Sequence, residues 1–288
     1  MILRSAAALM IAAACTLVAA PVALGQGMAG AYEKVATSRA PAIVTIKFIL
    51  KVQNEDHEQE TPGVMIESGG LVLASNLTFG GAAAKFGGET LTPSDIKVLV
   101  GDDTQGVEAK IIARDSDLQL IWIQIEKPAT GGYAFVDFEK GATAKLGDSL
   151  WCVDRLGKFF DRAATVTQGE VIAVTARPRK LLIPSGGISA PDFGIPVFDA
   201  SAAPVGVITV ILPEKEEMDA AEGGLGQVMR GVPGFHMILP SEDVAAATKR
   251  AKEAAASGKG EPEPKPADAK PADEKPAEKP AGDGMGNK

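Results

Sequence analysis

Two histidines and two cysteines are the whole supply of imidazole and thiol in this 288-residue chain. That scarcity limits acid–base and nucleophilic chemistry before any motif is considered. His57 lies in Glu55-Asp56-His57-Glu58-Gln59-Glu60, which reads as a solvated acidic connection or, alternatively, a weak divalent-cation site. His236 lies in Gly234-Phe235-His236-Met237-Ile238-Leu239, on an apolar run where a structural or rim histidine is expected. Cys152 sits among Leu150, Trp151 and Val153 and reads as a buried, inert thiol. Cys15 follows three alanines inside an apolar run. Ser185-Gly186-Gly187 has the form of a nucleophile string, but a serine needs a base to take its proton. Asp192-Phe193-Gly194 lacks the phosphate loop and catalytic-loop histidine that would make it a kinase triplet. Gly224-Leu225-Gly226 follows an acidic loop and is no dinucleotide fingerprint, while Asn76-Leu77-Thr78 is a short sequon of the kind chance supplies. No cofactor or metal is implied by these residues.

Charge and composition narrow the classes further. With 29 basic and 37 acidic residues the net charge is −8, and aromatics make up 5%. A nucleic-acid surface needs a basic stripe and stacking platforms, so nucleic acid is not an expected partner. Arg4 followed by the apolar run Ser5–Leu24 reads as a signal peptide over residues 1–25, with Gln26 opening the mature chain. Pro21 interrupts that run and no stop-transfer segment follows, so no transmembrane helix is expected in the mature chain. A lipoprotein anchored at Cys15 is the alternative; the destination is periplasm, envelope or medium. At the other end, residues 259–288 repeat Lys-Pro-Ala at Lys265, Lys270, Lys275 and Lys279, too polar to offset ordering entropy by burial.

The elements between these ends read as β. Apolar runs of strand length recur with Gly-rich punctuation: Val44–Leu50, Val64–Glu67, Leu71–Ser75, Lys97–Val100, Ala109–Arg114 and Leu120–Ile125. A second set follows at Ser149–Val153, Thr165–Val174, Lys180–Ile183, Ile195–Phe198, Pro204–Leu212 and His236–Leu239. Two sets of six predict an all-β chain of two antiparallel barrels with short terminal helices, a single sandwich being the alternative pattern. The expected divisions are a helix or linker over 26–40 (helical around Ala29–Thr37), a first barrel over 41–126, a linker over 127–143, a second barrel over 144–240, and a helix over 241–258 capped by Ser241 and stopped at Gly258.

Specific strings sharpen this pattern. Pro41-Ala42-Ile43-Val44-Thr45-Ile46, Gly63–Leu73, Ala109–Asp115 with Leu120–Ile125, Leu146-Gly147-Asp148 with Thr165–Val171, and Gly194–Phe198 with Pro204–Val207 follow one another in fixed order. In that order they resemble the protease domain of HtrA/Deg-type trypsin-like serine peptidases, over about residues 36–244. The resemblance implies a chymotrypsin/trypsin-like double β-barrel and a Ser-His-Asp triad. It places the base at Leu77, the carboxylate at Gln119 and the nucleophile at Phe193, and an oxyanion amide at Pro191. None of the three side chains can do its task, and proline has no N–H. Loss of the triad costs about a million-fold, and loss of one oxyanion donor about 100- to 1,000-fold. Asp117, two residues before Gln119 and hence expected on the same strand face, has no imidazole to orient.

The sequence therefore predicts a pseudoprotease with no catalytic residues, binding a protein or peptide partner, among them an active protease relative, as a chaperone-like or regulatory envelope protein. An endopeptidase using Ser185 and a structural envelope component are the alternatives. No peptide-presenting second domain follows the barrels, oligomers are compatible with the family, and the long Leu212–Pro233 connection is nominated as a partner contact.

Overall fold

A computed structural model describes residues 20–52, 55–81, 92–188, 193–213, 229–230, 232 and 235–258. The expected tail, most of the signal peptide with Cys15, the 214–228 part of the nominated partner loop, and Pro191 and Asp192 lie outside the described residues.

Strand-length apolar runs form the first barrel: β1 (Ile43–Val52), β2 (Glu55–Glu67), β3 (Leu71–Ser75), β4 (Ser94–Leu99), β5 (Val107–Asp115) and β6 (Leu120–Ile125). They close in the order β1-β2-β3-β6-β5-β4, every pair antiparallel. The second barrel holds β7 (Ser149–Arg155), β8 (Ala164–Thr175), β9 (Leu181–Pro184), β10 (Pro196–Phe198), β11 (Pro204–Thr209) and β12 (Met237–Pro240), closed as β10-β11-β12-β9-β8-β7. Closure removes sheet edges, the usual reason small β folds become barrels. The architecture is the chymotrypsin-like double β-barrel.

Burial follows the strand pattern. All five residues of β3 are buried, and β6 buries all but Gln124. One apolar core joins the first barrel to the seam between barrels through Phe48, Phe79, Trp122, Val153, Phe198 and Leu239. Phe48 and Phe79 stack at 4.2 Å, and burying such a ring stabilises the fold by about 1.5–3 kcal/mol. A second core, with Leu150, Cys152, Leu182, Val197 and Ile238, fills the second barrel.

Among the described residues, two helices flank the barrels. α1 (Ala20–Arg39) is longer than the helix expected over Ala29–Thr37 and packs on β7 and β8, burying Val35. α2 (Ser241–Ala256) buries Val244, Ala247 and Ala251, a spacing that keeps one stripe on the barrels. Thr248 accepts a 3.0 Å hydrogen bond from the Trp122 indole. No described helix is long and apolar enough to cross a membrane.

Two local expectations are corrected. Ser241 does not cap α2: its hydroxyl donates to the Pro204 carbonyl at 2.7 Å, and Pro240 occupies the cap position. The acidic stretch Glu55–Glu60 is strand rather than loop, because β1 pairs with it residue for residue from Ile46↔Thr61 to Val52↔Glu55. Its side chains are exposed on both faces, which erased the alternation that marks a strand in sequence.

Candidate functional site

Three chain segments meet where the resemblance places a triad. The first leaves β3 in a stapled turn. The Leu77 amide donates to Ser75 Oγ at 3.3 Å, Thr78 Oγ1 donates to the Ser75 carbonyl at 3.0 Å, and the Asn76 carbonyl accepts the amides of Phe79 and Gly81. Leu77 is half-buried and packs on the shared core. Asn76 is buried, so its sequon offers no accessible amide, and Arg114 donates to its Oδ1 at 3.0 Å.

The second segment is the turn between β5 and β6. Asp115 Oδ1 accepts the amides of Asp117 and Leu118, which fixes the turn. Gln119 follows in the left-handed region at φ 54° and is 1% exposed. Its carbonyl accepts the Asn76 amide at 2.9 Å, tying the second segment to the first. Its Nε2 donates to the Ser116 carbonyl, while Oε1 is buried without a hydrogen-bond partner. The strand face expected to carry both Asp117 and Gln119 does not exist, because both lie in this turn; Asp117 is exposed and Gln119 is buried.

The third segment carries Phe193. Gly194, at φ 89°, lies so close to the backbone of Ala74 and Ser75 that a Cβ would clash there. Its amide donates to the Ile208 carbonyl at 2.7 Å. Across the seam, Thr209 Oγ1 donates to the Leu118 carbonyl at 2.6 Å. Leu77, Gln119 and Phe193 are thus carried by segments that touch. Phe193 lies over the ring of His236, centroids 4.6 Å apart and planes 13° from parallel.

Sequence reasoning missed that stack. His236 sits just ahead of β12 rather than on it and is 6% exposed. Only the barrel closure brings it to Phe193, so no local spacing signalled the pair. His57 is elsewhere, exposed on β2 opposite Leu50, with Nε2 4.0 Å from Glu55. Among the described residues no cluster of three His, Cys, Asp or Glu side chains is arranged to hold a metal. Ser185 Oγ accepts the Glu170 amide at 3.0 Å and serves the β8–β9 connection. Cys152 is buried, and burial, with Asp154 nearby, pushes its thiol well above the usual range.

Two clefts among the described residues lie along α2. One cleft of about 360 Å³ is lined by Phe138, Thr143, Lys180, Leu182, Ser241 and Glu242. Another, about 370 Å³, is lined by Ile66, Glu67, Phe135, Thr248, Lys249 and Lys252. Phe138, Glu139 and Ala245 border both, so together they flank the helix. Neither includes Leu77, Gln119 or Phe193.

No family model matches the chain, and no curated protein matches it.

Proposed function

We propose that the protein is an exported pseudoprotease, a degenerate relative of the HtrA/Deg type, that works by binding a protein or peptide partner. The observation that carries this reading is the Phe193–His236 stack. A triad enzyme needs a hydroxyl there with an imidazole nitrogen aimed at it. Here an aromatic ring fills the position, and the nearby imidazole presents its face. Leu77 and Gln119 leave no imidazole–carboxylate pair to supply a base. The alternative nucleophile Ser185 is engaged with the Glu170 amide in a strand connection.

Partner contact then belongs to surfaces that retain shape and polarity. The clefts beside α2 combine aromatic and aliphatic walls with Lys180, Glu242, Lys249 and Lys252, a mixture suited to a polypeptide segment.

The test is fluorophosphonate labelling of the purified protein, run beside hydrolysis of unfolded casein with trypsin as positive control. The same preparation is assayed for suppression of aggregation of a denatured client. No adduct, no cleavage and a concentration-dependent delay of aggregation support the proposal. A stoichiometric serine adduct with matching turnover overturns it, and an inert protein that leaves aggregation unchanged overturns its chaperone-like form.

A further inference from the structure

We propose that residues 259–288 are an internal ligand: their Lys-Pro steps fold back into the cleft beside α2 that Phe135, Phe138 and Glu253 line. This rests on the reading of that cleft as a polypeptide site and names its resident occupant, which a partner must displace. By itself the segment has almost no apolar surface to bury, so any ordering must draw on a surface the barrels supply.

The cleft offers an aromatic wall beside unpaired carboxylates. The Val136 amide donates to the Met65 carbonyl at 2.9 Å, which fixes the 135–138 stretch along β2. Val136 is buried there, while Phe135 is left 41% exposed. Ile66 and Phe138 extend the apolar strip, and Glu139 and Glu253 stand exposed at its border. Lys252 already pairs with Glu67 at 2.6 Å, and Asp137 with Lys140 at 2.8 Å. Glu139 and Glu253 hold no such ion pair among the described residues. Proline rings pack on aromatic walls of this kind, and a cation beside each proline finds a carboxylate within reach.

Residues 259–288 carry that pair of groups four times, at Lys265-Pro266, Lys270-Pro271, Lys275-Pro276 and Lys279-Pro280. Proline fixes φ, so docking such a step costs less backbone freedom than docking an ordinary residue. Attachment also favours this occupant, because the segment leaves from the end of the helix that walls the cleft. Gly258, at φ 69° with its amide on the Ala255 carbonyl at 3.2 Å, turns the chain off the helix axis. Lys249, on the cleft wall, precedes Gly258 by about 13 Å of helix. From Gly258 to Lys265 a proline-rich chain covers about 20 Å, so the first Lys-Pro step already reaches the cleft. A ligand tethered this closely has an effective concentration on the order of millimolar, enough for a weak contact to fill the site.

The test is zero-length carbodiimide coupling of the full-length protein, with the joined lysine–carboxylate pairs mapped by mass spectrometry. Equal amounts of light and heavy nitrogen-labelled protein are mixed, so that links within one chain are told from links between copies. The expected links run within one chain from Lys265, Lys270, Lys275 or Lys279 to Glu139 or Glu253. Two variants check the chemistry. Phe135→Ser removes an exposed ring, and Pro266→Ala/Pro271→Ala/Pro276→Ala/Pro280→Ala alters only the segment, outside both barrels. Each is expected to lower the yield of those links about fivefold. The four-proline variant is also expected to delay aggregation of a denatured client at lower concentration than the wild type. Tail lysines joined to carboxylates all over the barrels, or yields unchanged in both variants, overturn the proposal. Links to Glu139 and Glu253 that run only between light and heavy chains overturn it as well, since a second copy then fills the cleft. Client protection that is equal with and without the prolines overturns the competition with a partner. A serine adduct with fluorophosphonate would instead overturn the pseudoprotease reading and leave the link map unchanged, so the two failures are distinct.

Discussion

Phe193 covers one face of the His236 imidazole, with ring centroids 4.6 Å apart and planes 13° from parallel. An imidazole accepts a proton through a nitrogen lone pair in its ring plane, and residue 193 lies over the face, away from that direction. Phe193→Ser alone therefore supplies a hydroxyl without a base. The variant is expected to give no fluorophosphonate adduct by intact-mass spectrometry. It is also expected to lose about 2 kcal/mol of stability to urea, less than a fully buried phenylalanine costs, because Phe193 is half-buried. An adduct on the introduced hydroxyl would mean that His236 swings to aim a nitrogen at it.

The backbone beside that ring is fixed by Gly194. At φ 89° and against the Ala74–Ser75 backbone, it meets both conditions that demand glycine. Gly194→Ala must either leave the left-handed region or push β3 away, so a loss above about 2 kcal/mol is expected. Gly157, with open space at its Cβ position and no positive φ, is the control, and alanine there should be nearly neutral. Urea midpoints of the two variants decide the point; equal midpoints would show that the 194 segment is not clamped.

How much of this was legible beforehand differs by element. The strand runs were readable because barrel interiors demand apolar residues, and Leu71–Ser75 or Leu120–Ile125 have no other use. Glu55–Glu60 was not, since every side chain is solvated and only pairing with β1 makes it a strand. The Ser241 cap failed for a similar reason: a nonlocal carbonyl, Pro204, takes the hydroxyl that local rules assign to the helix end. At the site, the resemblance located Leu77, Gln119 and Phe193 on segments that do converge. The left-handed, buried state of Gln119 and the His236 stack depend on turn geometry and barrel closure, which leave no periodic trace.

Asp137 gives a pH-dependent prediction. It caps the short turn Phe138–Lys140 through the Glu139 amide and pairs with Lys140 at 2.8 Å. The Lys140 ammonium, chiefly, and the Glu139 amide hold its carboxyl below the usual carboxylate range, against the opposing effect of burial. A depressed folded value means the stabilisation is complete above the unfolded-chain value and disappears as pH falls through the folded one. Asp137→Asn keeps a capping oxygen but loses the charge, so the wild type should lead by about 0.5 kcal/mol at neutral pH. That lead should close below the ordinary carboxylate range. Urea midpoints of both proteins across the acid range test the sign, and a lead that grows with acid contradicts it.

Arg162 links the barrels more strongly. Its Nη2 donates to Glu60 Oε1 at 2.6 Å and its Nε to Oε2 at 3.3 Å, a two-point grip from the β7–β8 connection onto β2. The side chains are 11% and 23% exposed, so water screens the pair only in part. Arg162→Ala leaves the Glu60 carboxylate without its partner in a mostly dry position. The expected loss is about 2 kcal/mol, short of the roughly 3–5 kcal/mol of a fully buried pair because Glu60 still touches water. Arg162→Lys should recover less than half, since a single ammonium cannot reproduce the planar fork. Removing both partners in Glu60→Ala/Arg162→Ala should cost less than the sum of the single changes, because neither charge is then stranded. Chemical denaturation of the four proteins measures that coupling, and strict additivity would show that the two groups are held apart in solution.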